Sequence, residues 1–182
     1  MRIGIVLGSV REGRKGTSAA AWLMGIAAER TDAEFVLIDL ADYDLPVLTD
    51  ETVPFDYEGT YPQPNVQAWA DALKACDGYV WLTPEYNHGV PGGFKNAVDY
   101  LGMEMAFKPV AFVSYGFEGG VRAVEAWRPI LAAMHLWGLR NQVALDNATE
   151  FDGNQVRPAE RRAGAVRHLY DAVVLAATKL QS

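Results

Sequence analysis

The feature that most constrains the fold is a repeated alternation between short apolar runs and longer segments of helical period. Short apolar runs bounded by turn residues are typical of strands buried on both faces, and apolar residues three and four positions apart indicate helices packed on one side. The predicted strands are residues 2–7, 34–40, 78–83, 109–114 and 142–145, and the predicted helices are residues 17–30, 66–75, 92–101, 121–136 and 157–180.

This alternation predicts an α/β fold with a parallel sheet, because consecutive parallel strands are connected by right-handed helical crossovers. Five strands favour the flavodoxin-like order 2-1-3-4-5, a three-layer sandwich with helices on both faces of the sheet. A chain of 182 residues suits one core, so a single domain over residues 1–182 is expected. Residues 41–64 hold four of the nine prolines and form a long irregular loop, which favours a role in function or at an interface.

Composition argues against several classes of protein. The formal charge is −7 and the only basic cluster is residues 11–15, so no nucleic-acid partner is expected. The single cysteine, Cys76, and three scattered histidines give neither an internal disulfide nor a metal-ligand spacing. No apolar run reaches the roughly 20 residues of a membrane span, and no secretory signal is seen. We therefore expect a cytoplasmic protein without bound metal or membrane.

In an open parallel sheet, ligands bind beyond the carboxyl ends of the strands, where three unusual loops lie. The first, residues 8–18, holds three glycines, several hydroxyl side chains and three of the sixteen basic residues, and it opens a helix. A helix N-terminus with nearby cations favours an anion, so a phosphate is the natural occupant. The glycine spacing matches neither the dinucleotide fingerprint nor the P-loop. The alternative is a solvated turn in which Thr17 or Ser18 caps the helix.

The second loop, residues 83–93, combines a proline, a tyrosine and amide side chains with small residues that let a flat ring approach. The third, residues 114–120, has an aromatic residue on either side of Gly116. Taken alone, the second loop favours an ordinary turn, and the alternative for the third is a glycine-rich turn into the next helix. Together with the first loop they predict a site with a phosphate end and a flat, polar-edged end, which suits a mononucleotide such as FMN.

The sequence resembles the NADPH-dependent FMN reductase family, which includes quinone, chromate and azo-dye reductases. The resemblance is most specific in residues 84–87 and 91–99, and it extends to residues 8–11. It implies that the protein binds FMN and uses NADPH or NADH as co-substrate. It also implies ping-pong hydride transfer to a small acceptor: a quinone-like, azo, metal-oxyanion or free flavin compound.

The same resemblance implies a cofactor site with three parts and no catalytic side chain, because the flavin carries the chemistry. The phosphate contacts are expected to be Ser9, Arg11, Gly16, Thr17 and Ser18. The residues expected to border the isoalloxazine are Pro84, Glu85, Tyr86 and Asn87. The residues expected at the other edge of the ring are Ser114, Tyr115 and Gly116.

Further expectations concern assembly and the reaction. A homodimer or homotetramer is implied, with residues 41–64 completing a neighbouring pocket. Backbone N–H groups of residues 86–87 and 115–116 are expected to stabilise negative charge on the reduced ring. Two alternatives stay open for Arg14 and Lys15, a phosphate of NADPH or solvent. Two also stay open for His88, a proton donor to the acceptor or an ordinary loop residue.

Two rival functions fit the same fold. One is a flavodoxin-type electron carrier without NAD(P)H activity, although the threonine-rich phosphate loop usual in flavodoxins is absent. The other is a non-redox binding domain, because a fold does not fix a function. The sequence favours an FMN-dependent NAD(P)H oxidoreductase over both.

Overall fold

A computed structural model describes residues 1–180 of the chain. Five strands form one parallel sheet in the order β2-β1-β3-β4-β5, which confirms the predicted topology. The strands are β1 (Arg2–Leu7), β2 (Glu34–Asp39), β3 (Gly78–Pro84), β4 (Pro109–Gly116) and β5 (Trp137–Asp146). The predicted single domain runs to residue 182, so its last two residues lie outside the described range.

Five helices cover the two faces of the sheet. They are α1 (Gly16–Ala27), α2 (Pro64–Lys74), α3 (Gly92–Asp99), α4 (Val121–Ala133) and α5 (Arg161–Leu180). Helices α1 and α5 enclose one core, and α2, α3 and α4 enclose the other. Within residues 1–180, no helix has the length and apolar character needed to cross a bilayer.

The two cores differ in composition although they share the same strands. Side chains alternate between the faces of a strand, so Val80 and Leu82 enter the core under α1 and α5 while Trp81 enters the other. Trp81 packs against Phe94 and Trp127, with ring centroids 4.9 Å apart in both pairs. The core under α2, α3 and α4 is therefore rich in large aromatic rings, whereas the opposite core is mostly aliphatic.

The register of the sheet brings the three predicted loops together. Leu7 lies level with Leu82 and Asp39, and Pro84 lies level with Tyr115. The amide of Gly8 donates to the Leu82 carbonyl at 3.0 Å, so the first loop leaves the sheet beside β3. All three loops therefore start at the carboxyl ends of neighbouring strands, on the same side of the sheet.

The structure differs from the sequence expectations mainly in the last third of the chain. Strand β5 begins at Trp137, whereas the sequence predicted a start at residue 142. The first half of this edge strand is largely exposed and carries polar residues, so the sequence shows no continuous apolar run there. A short hairpin of β6 (Phe151–Asp152) and β7 (Gln155–Val156) was not predicted. The stretch of residues 41–64 has no strand; a 3₁₀ turn at Leu40–Tyr43 leads into it, and a second lies at Pro54–Tyr57.

Candidate functional site

A cleft of about 780 Å³ opens at the carboxyl edge of the sheet, between the three loops and the hairpin. Its volume lies within the roughly 300–1,000 Å³ that is usual for small-molecule sites. Eight of the twelve residues predicted to bind the cofactor line this cleft: Ser9, Arg11, Pro84, Glu85, Tyr86, Asn87, Tyr115 and Gly116. The other four, which do not line it, are Gly16, Thr17, Ser18 and Ser114.

The first and second loops meet at Tyr86. The Ser9 hydroxyl is buried and shares a hydrogen bond of 2.9 Å with the Tyr86 hydroxyl. Arg11 is exposed, and its guanidinium lies over the Tyr86 ring, 5.7 Å from the centroid. Arg11 makes no ion pair with any residue in the described part of the chain. Its charge is therefore available to an anionic ligand.

The other two basic residues of the first loop are bound within the protein. The Arg14 guanidinium donates to the Ser9 carbonyl, to Asp39 and, at 3.2 Å, to the Thr17 hydroxyl. The Lys15 ammonium donates to the Gly153 carbonyl at 2.6 Å and also packs over an aromatic ring of the hairpin. Both side chains hold the loop to neighbouring elements, so neither is simply solvated.

The residues that begin α1 also serve packing and anchoring. A Cβ at Gly16 would lie 2.6 Å from a methyl carbon of Leu7 and 2.7 Å from the Tyr115 hydroxyl, so close packing requires glycine there. The Ser18 hydroxyl donates to the Asn154 carbonyl at 2.7 Å and accepts from the Val156 amide at 2.9 Å. This ties α1 to the hairpin. Phosphate contact by residues 16–18 stays a prediction.

The structure does not show the alternative for the first loop, a turn in which Thr17 or Ser18 caps α1. The structure places Lys15 at the N-cap of α1, and no side chain makes the capping hydrogen bond. Thr17 and Ser18 line a second groove of about 650 Å³, which Arg11 also lines.

The second loop turns sharply at Asn87 and His88. Both residues have positive φ, 49° and 63°, and Tyr86 and Gly89 exchange two backbone hydrogen bonds of 3.1 and 3.0 Å. Left-handed geometry at both central residues matches a type I′ turn, which usually carries glycine at the second. The Tyr86 amide is used inside this turn, which corrects the expectation that it faces the ring. The exposed Asn87 and His88 remain on the cleft wall.

The Glu85 carboxylate binds the protein itself. It accepts from the Arg122 amide and guanidinium, both at 2.9 Å, and from the Ala123 amide at 3.4 Å. Because free amides at a helix N-terminus favour a carboxylate, Glu85 caps α4 from the second loop. Glu85 therefore joins the second loop to the first turn of α4.

The third loop is braced from inside the sheet. The buried Ser114 hydroxyl donates to the Gly119 carbonyl at 2.6 Å and accepts from Gln142 at 3.2 Å. Burial raises the pKa of Tyr115, so its hydroxyl stays protonated. Phe117 is 84% exposed on the rim of the cleft. Ser114 therefore shapes the loop, while Tyr115 and Gly116 face the cleft.

The sequence did not identify several residues of the cleft wall, of which Asn147 is the most informative. Its side-chain oxygen is buried and has no hydrogen-bond partner within the described chain. An unpaired buried acceptor costs about 1–3 kcal/mol, so a ligand N–H or O–H that reaches it would be favoured. Asn147 directly follows β5, so the rule that ligands bind beyond strand ends points to it. The others are Glu12, Gly13, Phe117, Glu118, Arg122 and Asn154; the cleft is also lined by Arg14, Lys15 and His88, for which the sequence left alternatives open.

The features of the cleft fit a flavin mononucleotide. The cleft offers the unpaired cation of Arg11, which lies over the Tyr86 ring, together with the wall residues Tyr86 and Tyr115 and the orphaned acceptor of Asn147. Among residues 1–180, no group of three or more His, Cys, Asp and Glu side chains is placed to hold a metal ion.

Comparison with known proteins gives concordant results. The family model of NADPH-dependent FMN reductase matches residues 1–150. The chain is 37% identical over 126 residues to the NAD(P)H-dependent FMN reductase ntnL of Nectria sp, a match that covers 67% of this chain and 63% of that protein. It is 34% identical over 139 residues to a quinone reductase of Escherichia coli, covering 72% of this chain and 69% of that protein.

A solved structure supports the fold. The flavoenzyme NAD(P)H:(acceptor) oxidoreductase FerB from Paracoccus denitrificans superposes with a TM-score of 0.74 at 22% identity, over 98% of this chain and 97% of that one. The chain spans less than two thirds of the ntnL protein, so the comparison with ntnL concerns the shared portion.

Proposed function

Since the chain belongs to the NADPH-dependent FMN reductase family, we propose that it is an FMN-dependent oxidoreductase that uses NADPH or NADH. The observation that carries the proposal is the single cleft that joins the unpaired cation of Arg11 to the flat walls at Tyr86 and Tyr115. A phosphate needs the first feature and a tricyclic ring needs the second.

In this proposal each loop has one binding task. Arg11 pairs with the phosphate of FMN, and the first turn of α1 from Gly16 to Ser18 adds the favourable end of the helix dipole. The turn at residues 84–87 and the segment at residues 114–116 border the ring from opposite sides. Asn147 accepts a hydrogen bond from the cofactor with its unpaired oxygen.

When bound, FMN supplies the hydride chemistry, and the protein orients it and controls access. The exposed residues His88 and Phe117 stand at the mouth of the cleft, where a nicotinamide and then an acceptor would enter in turn. One shared entrance supports a ping-pong mechanism. A flat acceptor such as a quinone suits this entrance, in keeping with the relative named quinone reductase; azo compounds, metal oxyanions and free flavin are further candidates.

We also propose that the chain acts in the cytoplasm as a single domain and as a homodimer or homotetramer. Three apolar side chains of the loop at residues 41–64 are well exposed, with Val47 at 77%, Val53 at 60% and Phe55 at 61%. Exposed apolar residues that lie near one another in sequence favour a contact with another subunit. The only other partner proposed is the small-molecule electron acceptor.

Steady-state kinetics after reconstitution with FMN tests the proposal. The full chain with FMN is expected to oxidise NADPH or NADH in the presence of a quinone, with parallel lines in double-reciprocal plots. Without FMN, oxidation is expected to stop. Binding of FMN without oxidation would favour the electron carrier, and failure to bind FMN would favour a non-redox domain.

Arg11→Ala tests the phosphate end separately. Loss of a charge-assisted contact is expected to weaken FMN binding by about tenfold or more, while riboflavin, which has no phosphate, keeps its affinity. Quenching of flavin fluorescence measures both dissociation constants. Arg167→Ala, which removes an exposed arginine of α5, is the matched control. Equal affinity of the Arg11 variant and the wild type for FMN would contradict the assignment.

A further inference from the structure

We propose that Arg14 is a positioning residue: its ion pair with Asp39 holds the first loop in the shape that receives the phosphate. The inference rests on the proposed function, because it concerns the loop assigned to FMN. It gives Arg14 and Arg11 different tasks although both are arginines of one short loop. Arg11 binds the anion, and Arg14 fixes the backbone around it.

The contacts of Arg14 reach three different elements. Its guanidinium donates to the carbonyl of Ser9 after β1, to the hydroxyl of Thr17 in α1, and to the carboxylate of Asp39 at the end of β2. The Arg14 side chain is 14% exposed and that of Asp39 is 18% exposed. The bonds are therefore largely shielded from water, and they span the whole first loop from its start to its helix.

This arrangement depends on the shape of the guanidinium as well as its charge. A planar fork with five N–H groups can serve three acceptors at once, whereas a lysine ammonium is a compact point charge on a flexible stem. Lysine at position 14 would keep the charge but lose the cross-link between the three elements.

Asp39 is itself held in place and neutralises its partner. Its second carboxylate oxygen accepts from the Ala41 amide at 3.0 Å, so the turn after β2 fixes the carboxylate. A cation already paired with a carboxylate offers little net attraction to another anion. Arg11 makes no such pair in the described part of the chain, and the Lys15 ammonium is held by the Gly153 carbonyl, so we assign the phosphate to Arg11.

The opposite flank of the loop is anchored independently. Lys15 and Ser18 bind the hairpin at Gly153, Asn154 and Val156. With Arg14 bound on the β2 side, the loop is held from both sides. Loss of the Asp39 contact releases the loop on the β2 side only. We therefore expect the protein to stay folded while the first loop becomes more mobile.

The decisive variant is Asp39→Asn, because a positioning role for Arg14 and direct phosphate binding by Arg14 predict different changes in FMN affinity. If Arg14 positions the loop, loss of the carboxylate weakens FMN binding by about tenfold, the effect of losing one shielded charged hydrogen bond. If Arg14 binds the phosphate directly, removal of its competing carboxylate strengthens FMN binding or leaves it unchanged. Fluorescence quenching of FMN measures the change. Asp32→Asn, which breaks a surface pair with Arg30 at the far end of α1, is the matched control.

Arg14→Lys provides a second variant that keeps the charge. Weakened FMN binding like that of Asp39→Asn supports positioning, and wild-type affinity overturns it, even if the Asp39 variant fails to fold. The double variant Arg14→Lys with Asp39→Asn is expected to be no weaker than either single variant, because both break one cross-link.

Amide hydrogen exchange in the protein without flavin separates this inference from the proposed function. Amides at residues 9–13 are expected to exchange faster in both single variants than in the wild type and in Asp32→Asn. Unchanged exchange in both variants would overturn the inference. Failure of the wild type to bind FMN would defeat the proposed function, while the exchange measurement would still decide the role of Arg14.

Discussion

The two ends of the cleft are built in different ways. The phosphate end, residues 8–18, is held by charged and hydroxyl side chains that reach β2 on one side and the hairpin on the other. The ring end, residues 84–89 and 114–120, is shaped mainly by backbone turns with positive φ at Asn87, His88, Gly119 and Gly120. A charged ligand group needs a cation at a fixed position, whereas a flat ring needs closely shaped walls.

The two ends also differ in how they are tied to the rest of the fold. Arg14, Lys15 and Ser18 give the phosphate end several polar cross-links. At the ring end, Glu85 provides the side-chain link between the second loop and α4. We therefore expect substitutions at the two ends to impair stability or flavin binding for different physical reasons.

The largest effect is expected from Gly8→Ala, at the start of the phosphate end. A Cβ at Gly8 would overlap the ring of Phe94, which is fully buried among aromatic side chains. Overpacking of this kind costs about 1–3 kcal/mol or more, so chemical denaturation is expected to show a clear loss of stability. Gly25→Ala in the exposed part of α1 meets no atom within 4 Å and is expected to stabilise slightly. Equal stability of the Gly8 variant and the wild type would contradict the packing argument.

At the ring end, Glu85→Gln removes the charged cap of α4. Loss of a helix cap costs about 1 kcal/mol, so the melting temperature is expected to fall by a few degrees. Glu125→Gln on the same helix is the control, because its side chain is 71% exposed and its ion pair with Arg128 contributes little. A Glu85 variant that melts like the control would mean that the link between the second loop and α4 is not stabilising.

Gly116→Val tests the ring end by shape alone. A Cβ at Gly116 would lie 3.1 Å from the Gly120 amide nitrogen, so a branched side chain is expected to shift the third loop. Binding of FMN and of riboflavin should weaken together, because the ring is common to both. Loss of FMN affinity alone would indicate that Gly116 lies near the phosphate instead.

A pH-dependent effect is expected at Glu150, which supports the segment leading to the hairpin. Its carboxylate accepts from Arg162 at 2.6 and 3.0 Å and from the Asp146 amide at 3.0 Å. Burial opposes ionisation, but the hydrogen bonds outweigh it and hold the pKa of Glu150 below its usual value of 4.5. The charged form thus stabilises the fold above about pH 4.5, and this contribution is lost as pH falls through the lowered pKa.

Glu150→Gln is therefore expected to lower the free energy of unfolding at neutral pH and to match the wild type more closely in acid. Denaturation curves from pH 7 to pH 3 measure the difference. A difference between the two proteins that does not depend on pH would contradict this explanation.

The smallest effect on stability is expected from Phe117→Ala on the rim. The ring is 84% exposed, so its loss is expected to change the unfolding free energy by less than about 0.5 kcal/mol. The KM for the acceptor is expected to rise, because an exposed ring at the entrance offers a stacking surface. An unchanged KM for every acceptor would contradict a role for Phe117 in binding the acceptor at the entrance.

The sheet and the position of the cleft were predictable from local patterns. Strands such as Gly78–Pro84 are buried on both faces and read as continuous apolar runs, and strand order then follows from the crossover rules. The rule that ligands bind beyond strand ends located the three loops. The edge strand β5 was partly missed because exposure on its outer half replaces apolar residues with polar ones.

Long-range polar contacts were not predictable from the sequence. The role of Arg14 depends on Asp39, 25 positions away, and that of Ser18 depends on a hairpin 136–138 positions away. Each strand of that hairpin has two residues, too few for a periodic pattern. The local pattern therefore identified three basic residues in one loop but could not separate Arg11 from the two that brace it.

A crystal structure of the full chain with FMN would test the central claim most directly. We expect the phosphate beside Arg11, the ring between the turn at residues 84–87 and the segment at residues 114–116, and Arg14 still bound to Asp39. A phosphate bound by Arg14 in place of Asp39, or a flavin bound outside this cleft, would contradict it.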